Sequence, residues 1–282
     1  MARTLLFCLP YAGGSAMRVY GRWQRELPEP IEVVPVELAG RGARIAETPL
    51  TDVPAITADV LGTLLDRIDR PYAIFGHSLG ALVAYELTRR LEHLHGRPAT
   101  HLFVSGHRAP QLPRPPGQYD YRLPDAAFRE RLRELAGTPE EVLVHEELLD
   151  LVIPILRADF EAADTYRWRP GPRISCPLTV YGGADDPEAP PDTLPAWSAL
   201  TSDRCEVRVL PGQHFFLDDD PAALLKGIAA DLEPAPTGAA ENGRTSSCGC
   251  APGSTTRSIG STWPPGTGKC VHSSPSSWRP AG

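Results

Sequence analysis

Residues 72–86, YAIFGHSLGALVAYE, change character halfway: an apolar run ends in Gly76, His77, Ser78, Leu79 and Gly80, and a helical pattern begins at once. Glycine and serine are common enough that a G-x-S-x-G string alone carries modest information. The setting carries more. A sharp turn from strand to helix needs small residues on both sides of the serine, so that it can hold a strained backbone and stand exposed at the carboxyl end of a central strand. The helix N-terminus behind it then favours negative charge developing beside it. Ser78 is therefore a candidate nucleophile. The competing reading is a small polar residue that fills a tight turn.

Outward from this stretch the same alternation recurs. Short apolar runs at 4–9 (TLLFCL), 31–37 (IEVVPVE), 72–76 (YAIFG), 101–105 (HLFVS), 177–181 (PLTVY) and 205–210 (CEVRVL) fit strands covered by helices on both faces, which read as continuous. Between them, Val53, Ile56, Val60, Leu61, Leu64, Leu65 and Ile68, and again Leu79, Leu82, Val83, Leu87, Leu91 and Leu94, predict helices with one apolar stripe each. The fold class is α/β, with a mainly parallel central sheet and helices on both faces. The interval between the strands at 101 and 177 is too long for a simple crossover. It contains PDAAFRERLRELAG and EELLDLVIPILRADFEAADTYRW, so about 108–170 reads as a helical lid insertion. Leu148, Leu149, Val152, Ile153, Ile155 and Leu156 give that lid an apolar side, which docks on the body, lines a pocket, or does both.

With 282 residues, 41% of them hydrophobic and 22% charged, the chain can bury a substantial core. A formal net charge of −7 and a pI near 5.6 argue against a nucleic-acid binder. No run of about 18 apolar residues is present, and the apolar segment of MARTLLFCLPYAGG is too short for a secretory signal, so the expected location is the cytoplasm, away from membranes. Cys8, Cys176 and Cys205 lie in strand-like contexts, and Cys248, Cys250 and Cys270 in a polar tail. That scatter predicts free thiols and no metal site, since no CxxC pair or His cluster accompanies them. The expected folded domain is 1–233. Residues 234–282 are more than half Pro, Gly, Ser and Thr and predict a disordered low-complexity tail. Within it PPGTGKC fails as a phosphate-binding loop, because Trp263 stands where the first glycine belongs and Cys270 where Ser or Thr belongs.

A serine hydroxyl is a weak nucleophile and needs a general base, which itself needs an orienting carboxylate. Among eight histidines, His214 follows the strand run CEVRVL and the turn PGQ, which places it in a loop at the carboxyl edge of the sheet. His107, in SGHRAP, is the rival. It reverses the chain order of serine, acid, histidine that runs through folds built on this elbow. The acid then belongs on a loop between 78 and 214, and VYGGADDPEAP supplies Asp185 and Asp186, of which Asp186 is preferred. The oxyanion formed on attack needs two backbone N–H donors. Leu79, after the nucleophile, offers one; the glycine-containing loop LPYAGG offers the other at Ala12, with Tyr11 second.

Together CLPYAGGSAM, VELAGRGAR, IFGHSLGALVAYEL, LRELAGTPEEVL, PILRADFEAADTYRW, VYGGADDP and LPGQHFFL resemble the type II thioesterases of non-ribosomal peptide and polyketide assembly lines, within the α/β-hydrolase superfamily. The resemblance runs from about Leu5 to Leu232 and departs at Gln213, where a glycine is expected, and in PEAP after the acid. It implies an α/β-hydrolase fold and a serine thioesterase with a triad of Ser78, Asp186 and His214 and oxyanion donors at Ala12 and Leu79. It implies a substrate acyl group on the phosphopantetheine arm of an acyl or peptidyl carrier protein, no cofactor, and a monomer. Arg122, Arg129, Arg131 and Arg133 on the first lid helix form either a carrier contact surface or a solvated face. The alternatives are a small-molecule carboxylesterase and a catalytically dead hydrolase fold that binds.

Overall fold

The six apolar runs become six strands in the computed structural model, which describes residues 3–113, 120–135 and 145–233. The tail at 234–282 lies outside the described residues, as do 136–143 of LRELAGTPEEVL, the following Val144 and the side chain of Leu148. The strands are β1 (Thr4–Leu9), β2 (Ile31–Pro35), β3 (Tyr72–His77), β4 (His101–Ser105), β5 (Leu178–Gly183) and β6 (Cys205–Leu210). They form one sheet in the order β2-β1-β3-β4-β5-β6, every pair parallel. β2 stops short of the expected residue 37, although the Val36 N–H still donates to Cys8 O at 2.9 Å.

Alternate residues of each strand feed two separate cores, because successive side chains point to opposite faces. Leu5, Phe7 and Leu9 pack with Ile74, Val104 and Val180 beneath helices α2 (Val53–Leu64) and α3 (Leu79–His95). Leu6, Cys8, Phe75 and Phe103 face the other way, against α1 (Ala16–Tyr20) and two C-terminal helices, α6 (Phe216–Asp219) and α7 (Ala222–Leu232). Helix α2 begins where the Asp52 carboxylate accepts from the Ala55 N–H at 2.8 Å. Helix α3 ends on Gly96 at φ 62, whose N–H donates to Glu92 O. Cys8 and Cys176 are buried thiols and Cys205 is half-buried, all three free.

Between β4 and β5 the lid carries α4 (Asp125–Leu135) and α5 (Glu146–Thr165). It has a core of its own, in which Phe128, Leu132, Leu149, Ile153 and Leu156 are buried together. Of the two readings of its apolar side, pocket lining holds for Leu156, which also reaches a cavity over the sheet, whereas Leu149 and Ile153 pack into this lid core and not onto the body.

The strand order positions the site. From β1 the chain crosses outward to β2 and then returns to β3 on the other side of β1, so the loops leaving β1 and β3 run in opposite directions. Such a switch point opens a crevice at the carboxyl ends of the strands. The LPYAGG loop and Ser78 both lie there. Among the described residues no helix is long and apolar enough to cross a membrane.

Candidate active site

Ser78 sits between β3 and α3 with φ 54 and ψ −117, in the region that L side chains rarely adopt. Its N–H donates to Ser105 O at 2.8 Å, which pins the elbow to β4. The flanking glycines are required by close approach. A Cβ on Gly76 would stand 2.1 Å from Gly80 O, and one on Gly80 would stand 2.3 Å from Leu9 O. With any larger residue at 80 the elbow could not lie against the end of β1, and the loop leaving β1 could not reach Ser78.

His214 and Asp186 arrive from the other half of the sheet on two loops laced together. The Ala184 N–H donates to Leu210 O at 2.8 Å and the Asp185 N–H to Gly212 O at 3.0 Å. Asp186 turns inward, 2% exposed, while Asp185 is exposed to solvent. The Asp186 Oδ2 lies 2.9 Å from His214 Nδ1, and His214 Nε2 lies 3.0 Å from Ser78 Oγ. A carboxylate can only accept, so Nδ1–H donates to Asp186, and Nε2 is left to accept the Ser78 hydroxyl proton. Asp186 Oδ1 is held by the N–H groups of Glu188 at 2.9 Å and Ala189 at 3.2 Å. The rival His107 lines the same cavity, but its Nδ1–H donates to Arg108 O at 2.6 Å and the ring in reach of Ser78 Oγ is that of His214.

His77 is fully buried beside the His214 ring, with centroids 5.1 Å apart. Burial, reinforced by His214, pushes its imidazole well below the usual range, so it stays neutral. The Tyr11 hydroxyl donates to Asp218 at 2.7 Å; burial and that carboxylate push its pKa up, so it keeps its proton.

Ser78, Leu79, Ala12, Tyr11 and His214 open onto a cavity of about 170 Å³. Leu82, Ala109, Leu132, Leu156 and Phe160 give it an apolar wall, and Asp120, Arg131, Asp164 and Glu188 give it a charged end. The Leu79 N–H belongs to the first turn of α3, where N–H groups have no partner within the helix. Among the described residues no group of three or more His, Cys, Asp or Glu is arranged to hold a metal ion.

The lid arginines are occupied within their own surroundings. Arg131 pairs with Asp120 at 3.0 Å and Glu188 at 2.7 Å, Arg129 with Asp150 at 3.1 Å, and Arg133 with Glu130 at 2.9 Å. Arg122 lies over the Tyr121 ring. Through its two carboxylate partners Arg131 belongs to the charged end of the cavity and not to a solvated face. Sequence reasoning missed the buried ion pair of Arg41 with Asp159, which also receives the Gly13 N–H at 2.7 Å. The two lie 118 positions apart, and neither belongs to a periodic pattern; only their presence in AGRGAR and LRADF marked them.

Compared with known proteins, residues 4–232 match the family described as thioesterase domain. The chain is similar to the "Linear gramicidin dehydrogenase LgrE" of Brevibacillus parabrevis, 41% identical over 235 residues that cover 82% of this chain and 89% of that protein. It is 40% identical over 220 residues to the "Thioesterase PikA5" of Streptomyces venezuelae, covering 76% of this chain and 75% of PikA5. Among solved structures, the type II thioesterase BorB from the borrelidin biosynthetic cluster matches with a TM-score of 0.75 at 38% identity, covering 81% of this chain and 92% of BorB.

Proposed function

The chain belongs to the thioesterase family, in its α/β-hydrolase type II branch, and from that premise we propose that it hydrolyses acyl thioesters carried on the phosphopantetheine arm of acyl or peptidyl carrier proteins. The observation that carries this reading is the unbroken relay from Asp186 through His214 to Ser78, opening onto a cavity with an apolar wall. His214 takes the Ser78 proton as Oγ attacks the thioester carbonyl. The tetrahedral oxyanion is received by the backbone N–H groups of Ala12 and Leu79. Collapse breaks the C–S bond, and the carrier thiol leaves with the proton from His214. The same imidazole then deprotonates water for attack on the acyl-Ser78 ester, which returns the free acid and Ser78. Asp186 orients the ring and stabilises the imidazolium.

This activity is assigned to residues 1–233, acting as a monomer in the cytoplasm to clear mis-loaded or stalled units from assembly lines. The test is mass spectrometry of a panel of acyl-loaded carrier proteins after incubation with the protein, beside hydrolysis of a soluble aryl ester. Release from the carriers that disappears in Ser78→Ala is the expected outcome. A strong preference for the aryl ester makes the protein a carboxylesterase, and carrier release that survives Ser78→Ala refutes the nucleophile. The dehydrogenase in one relative's name finds no counterpart in sequence. No G-x-G-x-x-G follows β1, and Gly40 and Gly42 after β2 lead to Ile45 where the third glycine would stand.

A further inference from the structure

The loop between β1 and α1 is tied down at three points, the first being the hydrogen bond from Tyr11 to Asp218 described above. At its far end the Ser15 hydroxyl and the Ala16 N–H both donate to the Glu37 carboxylate, each at 2.9 Å, which anchors it to the end of β2. Nearer the cavity the Gly13 N–H donates to Asp159 Oδ2 at 2.7 Å, and Asp159 belongs to the lid helix α5. That carboxylate is wholly buried, and it is gripped in a fork by Arg41, whose Nη2 lies 2.8 Å from Oδ1 and whose Nη1 contacts Oδ2. The guanidinium, 5% exposed, is completed by Ala39 O, to which Nη2 donates at 3.2 Å. The helix also presses directly on the loop: Gly13 is at φ 76, and a Cβ there would come within 2.5 Å of Leu156 Cδ2. Leu156 and Phe160 wall the cavity on the turn of α5 that presents Asp159.

A buried ion pair of this kind contributes little net stability, because desolvating two charges offsets most of their attraction. Its geometry therefore calls for another explanation. The peptide plane that carries the Gly13 N–H adjoins Ala12, and Ala12 carries the N–H assigned above to the oxyanion. We propose that Asp159 is a positioning residue. By holding the Gly13 N–H it fixes the backbone around Ala12, so that the oxyanion hole is complete only while the lid helix is docked on the loop. Arg41 keeps the carboxylate aimed. The proposal rests on the reading of Ser78 and Ala12 under Proposed function. It extends that reading by making the docked lid a condition for turnover as well as a wall of the cavity.

Two double variants of the full chain separate positioning from packing. Arg41→Met with Asp159→Asn removes both charges and leaves a side-chain oxygen for Gly13; Arg41→Met with Asp159→Leu removes that acceptor as well. Apolar replacement of a buried ion pair is commonly tolerated, so both are expected to fold. The leucine variant should show a kcat at least about tenfold below the asparagine variant, because an ill-placed oxyanion donor is felt in the transition state. KM for an acyl carrier-protein thioester should differ by less than about twofold between them. Inhibition by butylboronic acid, which forms a tetrahedral anion on the serine, should weaken by the same factor as kcat. Equal kcat and equal boronate affinity in the two variants would overturn the proposal. Hydrogen exchange of the Gly13 amide in the unmodified protein tests the contact without any substitution: protection comparable to a strand amide supports it, and exchange as fast as in an open loop overturns it. Ser78→Ala is measured alongside. Turnover that survives it refutes the enzyme reading itself, whereas equal double variants beside an inactive Ser78→Ala refute only the role of Asp159.

Discussion

Ser78 is the one non-glycine residue with positive φ among the described residues, and a backbone held there stores about 1–3 kcal/mol. Replacing it tests that strain apart from chemistry. Ser78→Gly and Ser78→Ala should both abolish turnover, but the glycine variant should be more stable than the alanine variant by about 1 kcal/mol in urea titration. Equal midpoints would show that the elbow is relaxed. The acid is tested in the same way: Asp186→Asn keeps the shape but favours the wrong imidazole tautomer, so kcat should fall about 10⁴-fold. Asp185→Asn should change kcat by less than about twofold, since its side chain is in solvent. A reversal of those two results would move the acid. The convergence of Ser78, Asp186 and His214 was legible because elbow, strand-end loops and chain order each restrict the candidates. Asp159 and Arg41 were not legible: their pairing depends on how a lid helix meets a loop across the crevice, which no local pattern encodes.

At the scale of elements, the strands were legible because parallel strands covered on both faces are apolar throughout, and β3 is buried at every position. The short α1 was not, since five residues are too few for a periodic signal. The lid was recognisable as helical from its stripes, but which residues formed its own core and which faced the cavity depended on packing. Phe128 is fully buried in that core, with the Arg157 guanidinium 4.4 Å from its ring centre. Phe128→Ala should cost about 3–5 kcal/mol of packing there. Because the lid core is separate from the two cores on the sheet, the loss should appear as faster proteolysis within 108–170, with the thermal transition of the body shifted much less. A body transition lowered in full proportion would mean that lid and body unfold as one.

For the whole molecule, two buried histidines weaken the fold as pH falls. Burial pushes His101 down to about 4, against the attraction of Asp231 and with Arg204 and Arg208 lowering it further, and burial also pushes His77 well below its usual range. The unfolded chain takes up these protons near pH 6.5, before the folded state does. The stability they contribute is therefore fully present above that pH and is lost as pH falls toward 4, with a slope of up to about 1.4 kcal/mol per unit for each group. Urea midpoints should drop between pH 7 and pH 5, and His101→Asn should flatten that drop; an unchanged slope would exclude His101 as a contributor. The edge position of β6 has a further consequence. Among the described residues it pairs with β5 alone, and it has no fully buried residue, yet it leads directly into the loop that bears His214. Edge strands of this kind open before the centre of a sheet does. Activity should thus vanish at a lower urea concentration than the fluorescence of the buried Trp23 and Trp197, so that assays of aged or heated samples report the detachment of one strand rather than the death of the fold.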